Sequence, residues 1–275
     1  MAHVLITGTS TGIGKKTALT LARRGHHVIA TMRTPLKGEE LAKTAADEGL
    51  DLTILPLDVN DQSSVESAVK AAGQIDVLVN NAGIEVRGAI EACDDDEVRT
   101  QFETNVFGLL RVVRAVLPQM RERGSGTIVN VGSLAGVVTV PYGGIYAASK
   151  HAVGAISEAL HYECTPFGIR THVIEPGAFE SELQANAITA RRHDSASPYF
   201  DRAEQFQAAL GGTLHDGPSP DAQAVADQIA MVIDDPAAAV HQPVGADADL
   251  IVAVRATTDF EGFERTMRDT LDWHD

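Results

Sequence analysis

Short apolar runs recur along the chain, each closed by a polar turn and followed by a segment whose apolar residues return at helical spacing. His3-Val4-Leu5-Ile6-Thr7, Val28–Met32, Leu52–Leu57, Ile75–Val79, Thr127–Val131 and Arg170–Ile174 are the runs. Continuous rather than alternating apolar character is what a strand covered on both faces requires, so they predict a buried parallel sheet with right-handed crossovers. Lys15–Arg24 carries Ala18, Leu19, Leu21 and Ala22 on one helical stripe, with Gly25 as its stop signal. Asp61 or Ser63 can cap the next helix. Another follows the acids Asp94-Asp95-Asp96-Glu97, which suit a helix N-terminus, and runs past Val106 and Leu110 towards Met120. A helix holding Tyr146 and Lys150 continues through Leu160. Asp221–Asp234, with Asp221 as N-cap, and Phe260–Leu271 complete the helices, and Val244–Val254 is expected to contain the last strand. The pattern predicts an α/β chain, read as one domain over 1–275. The polar stretch from Ser181 to Pro220 is too long for an ordinary connection, and 182–220 is read as a lid over a site.

Composition narrows the function classes. Hydrophobic residues make up 44%, enough for a large core, and 22 basic against 38 acidic residues leave a net charge of −16. That balance argues against a nucleic-acid or anionic-membrane binder. Cys93 and Cys164 stand in no metal or redox spacing, and the ten histidines form no ligand motif, so no metal is expected. No run is long enough to span a bilayer, and no basic leader precedes the first strand; a cytoplasmic protein is the expectation.

The candidate chemistry sits at the strand ends. Gly8-Thr9-Ser10-Thr11-Gly12-Ile13-Gly14 between the first strand and helix is the opening of a dinucleotide-binding unit, where glycines let backbone amides approach a pyrophosphate at the positive helix end. Thr9 occupies the position where a Walker loop needs glycine. The second strand ends in Thr31-Met32-Arg33 without the acid that holds a ribose hydroxyl, and Arg33 can pair instead with a 2′-phosphate, helped weakly by Lys37. NADP(H) is therefore the preferred cofactor, with NAD(H) as the alternative. Asp58-Val59 ends the third strand, where the acid can accept from the adenine amino group, and Asn80-Asn81-Ala82-Gly83 ends the fourth. Asn105 is a polar residue in an apolar helix and needs partners. Ser133 follows the fifth strand. Tyr146 and Lys150, four apart, share one helix face, so the ammonium can favour the phenolate.

Thr7-Gly8-x-x-x-Gly12-x-Gly14, Asn80-Asn81-Ala82-Gly83, Asn105, Ser133, Tyr146-x-x-x-Lys150 and Pro176-Gly177 together resemble the short-chain dehydrogenase/reductase family, over the whole chain. The resemblance implies a Rossmann-type, doubly wound parallel sheet of about seven strands with helices on both faces. It implies hydride transfer between NADP(H) and a carbonyl or secondary alcohol, with Tyr146 as general acid/base and Ser133 orienting the carbonyl. Lys150 would lower the Tyr146 pKa and hold the nicotinamide ribose, and Asn105 would hold the water of a proton relay. Asp58 and Val59 would meet the adenine, Asn81, Ala82 and Gly83 the adenosine side. Ser181 stands where the family often has Thr after Pro176-Gly177 and keeps its hydroxyl for the carboxamide or pyrophosphate. Ala30-Thr31-Met32-Arg33 is similar to the NADP-preferring, 17β-hydroxysteroid-dehydrogenase-like branch, without establishing a steroid substrate. Homodimers or homotetramers built on the helices of Asn105 and Tyr146, and a small-molecule carbonyl or alcohol substrate, follow from the same resemblance. The rival from another class is a non-catalytic dinucleotide sensor on the same fold. A serine hydrolase built on Ser133 is disfavoured, because Gly132-Ser133-Leu134-Ala135-Gly136 is not G-x-S-x-G.

Overall fold

In the computed structural model, which describes residues 1–179, 183, 186–213 and 221–274, seven parallel strands form one sheet. They are β1 (His3–Thr7), β2 (His27–Met32), β3 (Leu52–Pro56), β4 (Val77–Asn80), β6 (Gly126–Val131), β7 (Ile169–Pro176) and β9 (His241–Val244). Their order across the sheet, β3-β2-β1-β4-β6-β7-β9, reverses direction between β1 and β4. That is the Rossmann order, and the reversal opens a crevice at the strand C-termini. Two short strands, β5 (Val86–Arg87) and β8 (Ile188–Thr189), pair in parallel outside this sheet.

Strand alternation explains why the runs are apolar throughout. Val4, Ile6, Val77, Val79, Val129 and Val131 pack on one face with Ala18 and Leu21 of α1 (Gly12–Arg23) and with Val225 and Ile229 of the helix Gln223–Asp234. Leu5, Leu78 and Ile128 point the other way, against Val65 of α3 (Gln62–Ala72), Val112 and Val116 of α5 (Leu109–Arg123) and Val153 of α6 (Gly144–Cys164). With period 2 and both faces covered, the central strands are apolar at most positions on both faces, and buried polar residues such as Thr31 and Asn130 are hydrogen-bonded. Cutting such a residue back, as in Leu78→Ala, costs about 2–5 kcal/mol.

The boundaries differ from expectation at identifiable points. α1 starts at Gly12, inside the glycine loop. Ile75 and Asp76 precede β4, because the Asp76 carboxylate accepts the His3 N–H at 2.9 Å and fastens the strand's approach. Asp61, not Ser63, caps α3, accepting from the N–H groups of Ser63 and Ser64. The long helix after the acids is α4 (Asp95–Phe102), a π-turn over Glu103–Gly108 and then α5. Asp221 is not the N-cap of the next helix: Ala222 is, while Asp221 accepts the Gln223 N–H at 2.8 Å. The last strand ends at Val244 rather than running to Val254, and Ala246–Thr257 is a helix. Gly245 at φ +110° turns the chain there, and Asp247 and Asp249 favour the helix N-terminus, so the apolar run 250–254 is helical. The 182–220 stretch contains β8 and a helix over Phe200–Thr213 among its described residues.

Candidate active site

The glycine loop is laced to the end of β4. Thr7 Oγ1 accepts the N–H groups of Asn81 and Ala82, each at 3.0 Å, and Asn81 Nδ2 donates to the carbonyls of Thr7 and Gly8, each at 2.9 Å. Thr9 donates both its N–H and its hydroxyl to the Thr31 carbonyl, tying the loop to β2 as well. Gly8 has φ +71°, and a Cβ on it would lie 2.8 Å from Ala82 Cα; one on Gly14 would strike the Gly8 carbonyl oxygen. Gly12 is also left-handed, at φ +54°. Thr11, the N-cap of α1, makes no side-chain cap bond, so the first-turn amides have no capping side chain. Ser10, Gly12 and Ile13 are partly exposed and Thr11 exposed.

Arg33 follows β2, exposed, and makes no ion pair among the described residues. Thr31, at the position where an acid was sought, is buried and donates to the Ile6 carbonyl. After β3, Asp58 is partly buried and accepts the Asn60 N–H at 3.0 Å, and the Val59 carbonyl accepts from Arg111. Across the sheet, Gly177 donates to the Val244 carbonyl at 2.9 Å. The Asp247 carboxylate accepts the Ala178 N–H at 2.7 Å and fills the space that a Cβ on Gly177 would need. Pro176 ends β7 and Ser181 lies outside the described residues.

Ser133, Tyr146 and Lys150 converge. The Ser133 hydroxyl lies close enough to the Tyr146 phenol to act on it, and Ser133 Oγ accepts the Ala135 N–H at 3.1 Å. Lys150 Nζ donates to the Val131 carbonyl at 2.9 Å and lies 5.7 Å from the Tyr146 ring centroid. Burial pushes the Tyr146 phenol above its ordinary value, and the nearby Ser133 hydroxyl opposes this without overcoming it. Burial and the Ser133, Glu85 and Arg87 groups are what act on the phenol here, while the Lys150 ammonium is directed at the Val131 carbonyl. Burial also lowers the Lys150 ammonium to about 8, opposed by Glu85.

Asn105 lies in the π-turn with both amide hydrogens donated and one of the two Oδ1 acceptor sites in use. Its Oδ1 accepts the Ile84 N–H at 2.9 Å, and its Nδ2 donates to the Ile84 carbonyl at 3.0 Å and to Ser149 Oγ at 3.1 Å. Ser149 in turn donates to the Tyr146 carbonyl at 2.7 Å. The side chain thus braces Gly83-Ile84 against the Tyr146 helix, and no direct contact joins it to Lys150. Gln101, fully buried, adds a second brace through the Ile84 carbonyl and the Val86 N–H. The sequence reading missed Gln101 and Ser149, which no spacing marks. It also missed Glu85 and Arg87, paired at 2.7 and 3.1 Å and close enough to Tyr146 for both charges to act on its phenol.

A short chain dehydrogenase family model matches residues 2–192. The chain belongs to that family. It is 39% identical over 205 residues to a 3-ketodihydrosphingosine reductase of Bacteroides thetaiotaomicron, covering 72% of each protein. It is also 39% identical over 194 residues to human 17-beta-hydroxysteroid dehydrogenase type 1, covering 67% of this chain and 59% of the human one. A short-chain dehydrogenase structure from Streptomyces avermitilis superposes with TM-score 0.79 at 32% identity, covering 98% of this chain and all of the other. ElxO, a structure with NADP bound, superposes with TM-score 0.72 at 26% identity, over 89% of this chain and 97% of its own. This short-chain dehydrogenase is an NAD(P)-dependent oxidoreductase acting on CH–OH groups. The cradle fits a dinucleotide: left-handed glycines, a position that admits no Cβ and an uncapped helix N-terminus stand together at the crevice. Among the described residues no helix is long and apolar enough to cross a membrane, and no group of three metal-ligating side chains occurs.

Proposed function

We propose that this chain is an NADP(H)-dependent carbonyl reductase and secondary-alcohol dehydrogenase in which Tyr146 exchanges a proton with the substrate oxygen. The approach of the Ser133 and Tyr146 hydroxyls to each other, at the carboxyl end of β6, carries the reading. Two hydroxyls aimed at one point can both bond a carbonyl oxygen, one orienting it and the other donating to it. A phenol held protonated by burial is a donor at neutral pH, the form that reduction needs. Lys150, behind the ring, supplies positive charge as the phenolate forms. The bound dinucleotide supplies or accepts the hydride.

Gly8, Thr9, Ser10, Thr11, Gly12, Ile13 and Gly14 form the cradle for the pyrophosphate, Arg33 pairs with a 2′-phosphate, and Asp58 and Val59 flank the adenine. Ala82 and Gly83 border the same cleft, with Asn81 as the clamp that shapes it. Pro176 and Gly177 close the nicotinamide side; Ser181, assigned there by the family resemblance, lies outside the described residues. Asn105 braces the Tyr146 helix and holds the relay water. NADP(H) is preferred over NAD(H), with ElxO as a structural precedent for NADP. A single domain with 182–220 over the substrate completes the reading.

Tyr146→Phe tests it. Ketone reduction with NADPH should fall by about 10²–10⁴-fold, the usual contribution of a positioned acid, with NADPH affinity nearly intact. Full turnover in that variant would sink the mechanism. Self-association through the Glu103–Gly108 turn with α5, where Phe107 is exposed, and through α6, where Tyr162 is exposed, is the assembly we infer. Light scattering at working concentration that gave a monomer would remove it.

A further inference from the structure

Trp273, the single tryptophan of the sequence, stands two residues beyond the last helix, Phe260–Leu271. Its indole is buried, and the guanidinium groups of Arg202 and Arg268 each lie 4.8 Å from the ring centroid. Arg202 also donates to the His274 carbonyl at 2.7 Å, so the helix Phe200–Thr213 is tied to the chain's end twice. The indole meets Phe206 edge-on, with centroids 5.2 Å apart and planes at 71°. Phe206, fully buried, continues the stack to Tyr142 at 5.9 Å. Tyr142 has φ +63°, a left-handed conformation unusual for a bulky residue, and its carbonyl accepts the Gly88 N–H at 2.9 Å. α6 begins two residues later, at Gly144, and Tyr146 follows within its first turn.

A backbone outlier of this kind persists only where its surroundings over-determine it. Here the determinants are the Gly88 bond on one side and the Phe206 ring on the other, and Phe206 depends on Trp273 for its own edge contact. We propose that Trp273 is a positioning residue, acting through Phe206 and Tyr142 to hold the turn ahead of Tyr146 and the helix Phe200–Thr213 as one unit. Its effect on turnover rests on the function proposed above; its effect on the turn does not. Trp273 Nε1 has no hydrogen-bond partner among the described residues, so the ring and not the N–H does the holding. Phenylalanine should therefore replace it where alanine cannot.

Amide hydrogen exchange on the full chain, wild type against Trp273→Ala and Trp273→Phe, tests the proposal without a substrate. In Trp273→Ala, exchange should rise by about tenfold or more in 140–147 and 200–213, which corresponds to at least about 1.4 kcal/mol of lost local protection. It should be unchanged in β1, β4 and residues 8–14, and Trp273→Phe should restore most of the protection. Acceleration spread evenly over the sheet would make Trp273 a general core residue and overturn the proposal, as would no change in 140–147. If Trp273→Ala does not fold, Arg202→Gln, which removes one face of the clasp, should show the same two regions at reduced amplitude; protection equal to wild type would refute it. An active Tyr146→Phe together with the expected exchange pattern would leave the positioning role standing and discard the mechanism.

Discussion

Residues 1–179 and the described residues from 186 onward are held together by different means. In the first region, strand residues alternate between two apolar faces, and the loops at the strand ends are fixed by backbone-directed hydrogen bonds such as those of Thr7, Asn81 and Asn105. In the second, β8 pairs with β5 and β9 joins the sheet, but residues 191–213 are anchored to the rest by side chains: Arg191 to Asp94 at 2.8 Å, Tyr199 to Glu91 at 2.7 Å, and the rings of Phe206 and Trp273. The family model ends at residue 192, close to where the change occurs. Backbone-directed bonds tolerate little change of residue type, because each donor or acceptor left unpaired in the interior costs about 1–3 kcal/mol. Side-chain packing admits many solutions of similar volume. The proposed chemistry thus draws on groups under backbone constraint, and the proposed substrate segment on side-chain packing.

Breaking the first region should have the larger effects. Gly14→Ala forces a Cβ onto the Gly8 carbonyl, and relief requires the loop to leave Asn81. We expect a loss of about 1–3 kcal/mol in stability from the overpacking alone and loss of detectable dinucleotide binding, checked by thermal unfolding and by NADPH titration. Arg33→Ala leaves the fold untouched, since the residue is exposed and outside any ion pair among the described residues. Removing a charge-assisted bond worth about 1.5–3 kcal/mol should weaken NADPH by roughly 10–100-fold and leave NADH unaffected; equal losses would count against the phosphate role.

The pH dependence sharpens the same comparison at smaller amplitude. Lys150 falls from an ordinary 10.5 to about 8 on folding. Its charge is lost as pH rises through about 8, so kcat/KM for reduction should decline there. Its contribution to stability runs the other way. From about pH 8 to 10.5 the unfolded chain holds a proton that the folded chain has shed, so stability rises with pH across that window. Denaturant midpoints of wild type against Lys150→Met over this range should show the difference, and a flat difference would mean that Lys150 is solvated.

The legible part of the fold was the part under backbone constraint. Val4, Leu78 and Ile128 announce buried strands, and the glycines announce a turn that side chains cannot make. The apolar run 250–254 misled because a short apolar segment has no period of its own; Gly245 and the Asp247 bond to Ala178 decide its conformation. Tyr146 and Ser133 were visible from spacing, but the direction of the Lys150 ammonium was not, since the Val131 carbonyl is a partner supplied by another element. Glu85, Arg87, Gln101 and Ser149 carry no local signature, and their roles exist only once β5, α4 and α6 are brought together.

The claim on which the rest depends is that the first region forms an NADP(H)-reading dinucleotide site. Fluorescence titration of the wild-type protein with NADPH and with NADH tests it most directly. NADPH should bind more tightly, by about tenfold or more if one charge-assisted contact from Arg33 is made. NADH binding as tightly as NADPH, or more tightly, would contradict the account.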